Sequence, residues 1–117
     1  MTRRLDVASL AYLLLLSLVG DACTADAYDG EWNGSAMVTN GRCRTAMVTL
    51  SVLGKVVTGQ ARFGLESQSI HGTVSEDGTF GATIGFRPLS GKFTQDMFEG
   101  SFSISDCTWK LVLKRGK

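Results

Sequence analysis

The chain has 117 residues, room for a single domain, and it carries 12 basic and 11 acidic side chains for a formal net charge of +1. A balance this close to neutral gives no support to a nucleic-acid partner or to charge-driven attachment to an anionic membrane surface. Length and charge therefore favour one small domain whose partner is not chosen by net charge.

The first 27 residues predict a cleaved secretory signal. Arg3 and Arg4 form a positive start, residues 7–19 are apolar apart from two serines, and Ala25-Asp26-Ala27 provides an A-x-A cleavage site. An apolar run of about 13 residues is shorter than the roughly 20 that a spanning helix needs, so a membrane anchor is disfavoured. The mature chain, residues 28–117, is then exported to the periplasm or beyond and has no transmembrane segment.

Cleavage at this point removes Cys23 and leaves Cys43 and Cys107 as a pair. Two cysteines in an oxidising compartment predict a disulfide. The bond closes a loop with a sequence separation of 64, for which the chain-entropy model gives a stabilisation of roughly 4 kcal/mol. With both thiols used and His71 the only histidine, no ordinary zinc or copper site is expected.

From residue 28 onward, apolar and polar residues alternate with period two, and turn residues interrupt the alternation every ten or so positions. The pattern shows no helix signal. Asp77-Gly78 is the strongest hairpin signal, and Pro88 is expected between strands five and six. The pattern predicts an all-β domain of eight strands, at 31–39, 45–53, 55–63, 69–75, 79–86, 89–94, 97–104 and 107–114.

Short connections between these strands force an antiparallel up-and-down order, and eight such strands can close into a barrel without exposed edges. Cys43 and Cys107 both fall at the end of the molecule where strand one finishes. Closure of the barrel therefore places the predicted disulfide across the seam between strands one and eight. A β-sandwich can also bring the two cysteines together and is the alternative architecture.

One register of the strands is apolar throughout and is predicted to face inward. Five glycines also fall in this register, and they either make room for large rings in a filled core or leave an internal cavity; eight short strands favour the filled core. The predicted inward glycines are Gly34, Gly59, Gly72, Gly91 and Gly100. The predicted inward side chains are Trp32, Ala36, Val38, Ala46, Val48, Leu50, Val52, Val57, Phe63, Ile70, Val74, Phe80, Ala82, Ile84, Leu89, Phe93, Phe98, Phe102, Trp109, Leu111 and Leu113.

Gly30-Glu31-Trp32, at the start of the first strand, resembles the G-x-W signature of calycins, the barrel superfamily of lipocalins, fatty-acid-binding proteins and avidins. The resemblance implies that a basic residue late in the chain, here Arg115, packs on Trp32 near the closed end of the barrel. It also implies that the cysteine end is the open, ligand-receiving one. The chain is similar as well to small exported bacterial proteins with a D-G-x-W-x-G start and a C-x-W-x-L-x-L-x-R finish, here residues 107–115. Neither resemblance implies a particular ligand.

The sequence offers no catalytic arrangement. His71 is predicted to point outward, away from the apolar interior, and the paired carboxylates Glu76 and Asp77 are explained by a solvated hairpin tip. We therefore expect a protein that is not an enzyme and that uses no cofactor.

The remaining signal is a set of arginines at the cysteine end, Arg42, Arg44, Arg62 and Arg87. An arginine-rich rim around an apolar mouth suits a lipid or another amphipathic acid, which predicts a small-ligand binding module. Two alternatives stay open. One is a periplasmic protein-binding or inhibitor-type protein that uses loops or the outward Met37 and Met47, and the other is a structural envelope protein.

Overall fold

A computed structural model describes residues 27–116, so residues 1–26, which hold nearly all of the predicted signal, lie outside the described residues. Eight antiparallel strands form a closed barrel in chain order, and the first strand pairs with the last. This confirms the predicted barrel, and the sandwich alternative is wrong. Within residues 27–116 no helix is long and apolar enough to cross a membrane. The strands are β1 (Gly30–Asn40), β2 (Ala46–Leu53), β3 (Val56–Phe63), β4 (Glu66–Val74), β5 (Thr79–Ile84), β6 (Arg87–Phe93), β7 (Met97–Ile104) and β8 (Cys107–Arg115).

The strand ends differ from the prediction mainly at two connections. β4 begins at Glu66 because Phe63 pairs with Glu66 around a two-residue turn, and β5 ends at Ile84 because Gly85 takes a positive φ of 59°. The expectation for Pro88 was wrong, since Pro88 is the second residue of β6. The β6–β7 hydrogen-bond ladder starts only at Leu89. Proline, which has no N–H to donate, is therefore tolerated at position 88, just before the ladder begins.

Four of the connections are two-residue turns with positive φ at the first turn position. Gly54, Gly64, Gly85 and Ser105 occupy that position with φ of 65°, 70°, 59° and 56° respectively. Positive φ at the first turn position matches the twist of a hairpin and normally selects glycine. Residue 105 adopts this conformation with a side chain, which costs about 1 kcal/mol.

The disulfide joins Cys43, in the β1–β2 connection, to Cys107, the first residue of β8, with 6.3 Å between the Cα atoms. This confirms the predicted pair. The bond lies beside the β1–β8 seam, where the register shifts between Val38 and Asn40. The crosslink therefore fixes the β1–β2 connection to the strand that closes the barrel.

The interior is a single apolar cluster with no buried charged or polar side chain among the described residues. All but three of the predicted inward side chains are fully buried. Val38, Phe63 and Ala82 are only partly buried, and the prediction missed Ala61 and Cys107, which are buried. Phe63 ends β3 and Val38 adjoins the register shift, so both lie where the core meets the disulfide-linked end of the barrel.

The inward glycines leave no cavity beside them. A Cβ atom built on Gly91 or on Gly100 would lie 2.7 Å from a ring atom of Phe98, closer than real Cβ contacts come. Gly34 and Gly59 are equally crowded, with 2.8 Å to a methyl of Leu113 and of Leu50. The glycines therefore admit large side chains into a filled core at these positions, as the narrow barrel predicts.

We expect Gly91→Ala to destabilise the protein by about 1–3 kcal/mol, because the added methyl must displace the Phe98 ring or the backbone behind it. Gly81→Ala is the matched control, since nothing lies within 4 Å of a Cβ there. That substitution should be neutral or stabilising by up to about 1 kcal/mol. Urea unfolding with unchanged m-values gives both numbers, and equal midpoints for the two variants would contradict the filled core.

The β4–β5 turn contains a strongly perturbed carboxyl group. Oδ1 of Asp77 accepts hydrogen bonds from the Thr79 backbone N–H at 3.0 Å and from the Ser75 hydroxyl at 2.8 Å. The backbone bond from Thr79 is the main cause that lowers the pKa of Asp77 from 3.8 to about 2, with the Ser75 bond next. Because the folded-state pKa is the lower one, this carboxylate stabilises the fold above pH 4 and the contribution is lost as pH falls toward 2.

We therefore expect Asp77→Asn to flatten the acid limb of the stability curve between about pH 4 and pH 2. Glu76→Gln is the control, because it removes one carboxylate from the same turn without touching these hydrogen bonds. Thermal unfolding across this pH range measures the effect. An acid limb that is as steep in D77N as in the wild-type protein would refute the assignment.

Candidate functional site at the disulfide end

Alternating strands place the connections of the barrel at two ends. We call the end with connections 41–45, 64–65, 85–86 and 105–106 the disulfide end, because Cys43 and Cys107 lie there. We call the other end, where Tyr28 enters β1 and Arg115 ends β8, the covered end. The two ends differ in what closes them.

Arg115 closes the covered end. Its guanidinium lies over the Trp32 ring, 4.7 Å from the ring centroid. Nη1 donates to the carbonyl of Asp29 at 2.9 Å, Nη2 donates to the carbonyls of Ala27 and Gln95 at 2.9 and 2.5 Å, and Nε lies 3.5 Å from a carboxylate oxygen of Asp96. These donors hold three separate chain segments together, so Arg115 has a structural role. A depression of about 540 Å³ also lies here, but the guanidinium on its wall is already bonded to backbone carbonyls.

Aromatic packing continues beneath this cover. Nε1 of Trp32 donates to the carbonyl of Tyr28 at 2.9 Å, and the Tyr28 ring packs on Phe93 with a centroid separation of 5.6 Å. Phe93 contacts the Trp32 ring edge-on at 4.8 Å. The segment that leads into β1 is therefore held across this end of the barrel by Trp32, the side chain on which Arg115 also stacks.

The disulfide end is built around Trp109. Its ring stacks on Phe102 at 4.9 Å with an interplanar angle of 10°, and Phe63 meets it edge-on at 5.5 Å. Nε1 of Trp109 donates to the carbonyl of Arg44 at 2.8 Å. Together with the disulfide next to Arg44, this bond fixes the β1–β2 connection over the edge of the barrel.

A depression of about 540 Å³ opens between this connection and the β3–β4 turn. Its surface is mostly apolar, and the two charged groups on its wall have opposite signs. The lining residues are Cys43, Arg44, Phe63, Leu65, Glu66, Ile104 and Trp109. The depression can therefore take an apolar group on its floor and one polar or charged group at its edge.

Arg44 is the cation of the depression. A Cβ built on Gly64 would lie 3.0 Å from Nη1 of Arg44, so the guanidinium rests against the turn where only glycine leaves it room. Between residues 27 and 116, Arg44 forms no ion pair. The side chain is exposed beside the Gly64 turn, so its charge is available to a ligand.

All four arginines predicted as a rim lie at the disulfide end and are exposed, but only Arg44 lines the depression. Arg62 lies opposite Met47 on the outer face of the sheet, and Arg87 follows Phe86 at the start of β6. Arg42 is exposed in the β1–β2 connection. The four therefore surround the end of the barrel without forming a ring around one mouth.

Leu65 at a hairpin tip and Ile104 in β7 also line the depression, and neither was predicted to do so. Phe86, fully exposed at the next hairpin, was not predicted either. The available signal was a large apolar residue directly after a turn glycine, in Gly64-Leu65 and Gly85-Phe86. Phe86 fell inside the predicted strand 79–86, whereas Leu65 fell in the predicted connection between 63 and 69.

Among residues 27–116 no three histidine, cysteine or acidic side chains converge as metal ligands. Comparison of the chain with protein-family models, curated proteins and solved structures found no significant match. The geometry of the disulfide end is therefore the main guide to function.

We expect Arg115→Lys to lower the free energy of unfolding by about 2–3 kcal/mol, because an ammonium cannot reach three carbonyls and stack on Trp32 at once. Lys114→Gln, which changes the outward neighbour, should stay within about 0.5 kcal/mol of the wild type. Urea unfolding of both variants tests this. An R115K loss no larger than that of K114Q would contradict the structural role of Arg115.

Proposed function

We propose that the mature protein is an exported, non-catalytic binding module that takes the apolar part of a small amphipathic acid into the depression at the disulfide end. The observation that carries the proposal is an apolar floor of Phe63, Ile104 and Trp109 beside the cation Arg44, which forms no ion pair with any residue from 27 to 116. Guanidinium groups favour carboxylates and phosphates because they donate two parallel hydrogen bonds.

The size and composition of the depression support this ligand class. Its volume of about 540 Å³ lies within the range of small-molecule sites, and its lining includes the rings of Phe63 and Trp109. Glu66 on the same wall can accept a hydrogen bond from a hydroxyl or an amine of the ligand. The depression is open to solvent, so we expect modest affinity, governed by one charged contact and the area of ring or alkyl chain covered.

Two further features support the proposal. A disulfide persists in oxidising compartments, which fits export. Arg115 over Trp32 is the arrangement that the calycin resemblance implies for the closed end, and the resemblance then assigns ligand binding to the opposite end, where the depression lies.

The test is isothermal titration of the folded, oxidised protein with decanoate and with the uncharged decanol. We expect Arg44→Gln to weaken decanoate binding by about tenfold, roughly the loss of one charged contact, and to leave decanol binding unchanged. Arg87→Gln is the matched control, because it removes a nearby charge that does not line the depression. Equal effects of R44Q and R87Q, or no decanoate binding by the wild type, would rule the proposal out.

A protein-binding role is the second candidate, and it has its own observation. Met37 and Met47 are 56% and 63% exposed on the outer face, and Ser35 pairs with both Met47 and Val112 in one row across β2, β1 and β8. Flexible methionines suit protein contacts. If decanoate does not bind, and a photo-crosslinker at Met47 captures one envelope protein that the same crosslinker at Thr73 does not, this function replaces the first.

A further inference from the structure

Two large apolar side chains project into solvent from neighbouring hairpins of the disulfide end. Leu65 and Phe86 are fully exposed, and each follows a glycine of positive φ in a two-residue turn. β4 pairs with β5, and the N–H of Gly85 donates to the carbonyl of Ser69 at 2.9 Å, which joins the two hairpins directly. We call Leu65 and Phe86 the apolar tips.

The apolar tips are presented by rigid turns. The backbone of Gly85 is tied to Ser69, and the guanidinium of Arg44 rests against Gly64. Neither tip side chain contributes burial to the core. Docking through the tips therefore orders little further chain and gains the full exposed apolar area.

Positive charge surrounds the apolar tips. Of the five arginines between residues 27 and 116, four lie at the disulfide end, and its acidic side chains are Glu66 and Asp106. The covered end, counted in the same way, is close to balanced, with Lys55, Lys92, Lys114 and Arg115 against Asp29, Glu31, Glu76, Asp77 and Asp96. The excess positive charge of the described residues therefore lies at the end that carries the tips.

We propose that the disulfide end docks on the surface of a bilayer that contains anionic phospholipid, with Leu65 and Phe86 in the interfacial region and the arginines on lipid phosphates. A bilayer offers an apolar layer and a plane of phosphates to both kinds of side chain at once, and arginine matches phosphate geometry. A second copy of the chain is disfavoured, because it would bring like charges face to face. The proposal goes beyond the binding of a small acid and does not depend on it.

Co-sedimentation with vesicles tests the proposal on the oxidised mature protein. The probes are vesicles of phosphatidylcholine alone and of phosphatidylcholine with phosphatidylglycerol at three to one. We expect binding to the anionic vesicles, about tenfold weaker for L65S/F86S. The matched control is L53S/V56S, which removes apolar side chains that are 77% and 58% exposed and away from the disulfide end, and it should bind as the wild type does.

Charge and depth are tested separately. Arg42→Gln with Arg87→Gln should reduce binding to anionic vesicles by about tenfold and leave the weak binding to neutral ones unchanged. Because Trp32 and Trp109 are buried, the indole of F86W reports the tip, and its emission should shift to shorter wavelength with anionic vesicles.

The results of these experiments distinguish a bilayer from a protein partner at the apolar tips. Wild-type protein that does not sediment with anionic vesicles at low salt overturns the proposal and leaves the apolar tips to a protein partner. Equal losses for L65S/F86S and L53S/V56S overturn it as well. Phe86→Ser should weaken vesicle binding without changing decanoate affinity, since Phe86 does not line the depression, so failure here is distinct from failure of the small-ligand proposal.

Discussion

Pairing of β1 with β8 is the contact on which the rest of the structure depends. Without it the protein would be a curled sheet with two exposed edges, and the core would have no wall along one side. Gly34 makes the close approach possible, because a Cβ there would lie 2.8 Å from the Cα of Leu113. The seam is fastened at both ends, by Cys43–Cys107 at the disulfide end and by the N–H of Gly116 donating to the carbonyl of Glu31 at 2.7 Å.

The two ends of the barrel divide stability from binding. At the covered end the guanidinium of Arg115 is turned inward onto carbonyls and a ring. At the disulfide end the arginines face outward, and two hairpins expose Leu65 and Phe86. The fold does not require Leu65 and Phe86 at these positions, because neither side chain is part of the core. Within residues 27–116, the exposed charge and apolar area of the disulfide end are therefore what a binding partner can use.

The sequence predicted the parts of the fold that follow from period and pairing. Alternation predicted which face of each strand is buried, and the cysteine positions favoured a seam between the first and last strands, because both depend only on counting residues along strands. The turns were not predictable in the same way. Gly85-Phe86 continues the alternation of apolar and polar residues, and the chain reverses there only because Gly85 takes a positive φ. The same limit hid the candidate site. The sequence predicted that the four arginines lie at one end of the barrel. It did not single out Arg44, which differs from the others because it packs against Gly64 and because Trp109 packs against the β1–β2 connection beside it.

The closed ladder also determines how the molecule can come apart. In an open sheet a terminal strand frays first, because it is held along one side only. Here the first and last strands hold each other, so releasing either one breaks two ladders at the same time. We therefore expect the native state to be protected by a slow rate of opening as well as by its equilibrium stability. Such kinetic persistence would suit the exported location that we propose for the protein.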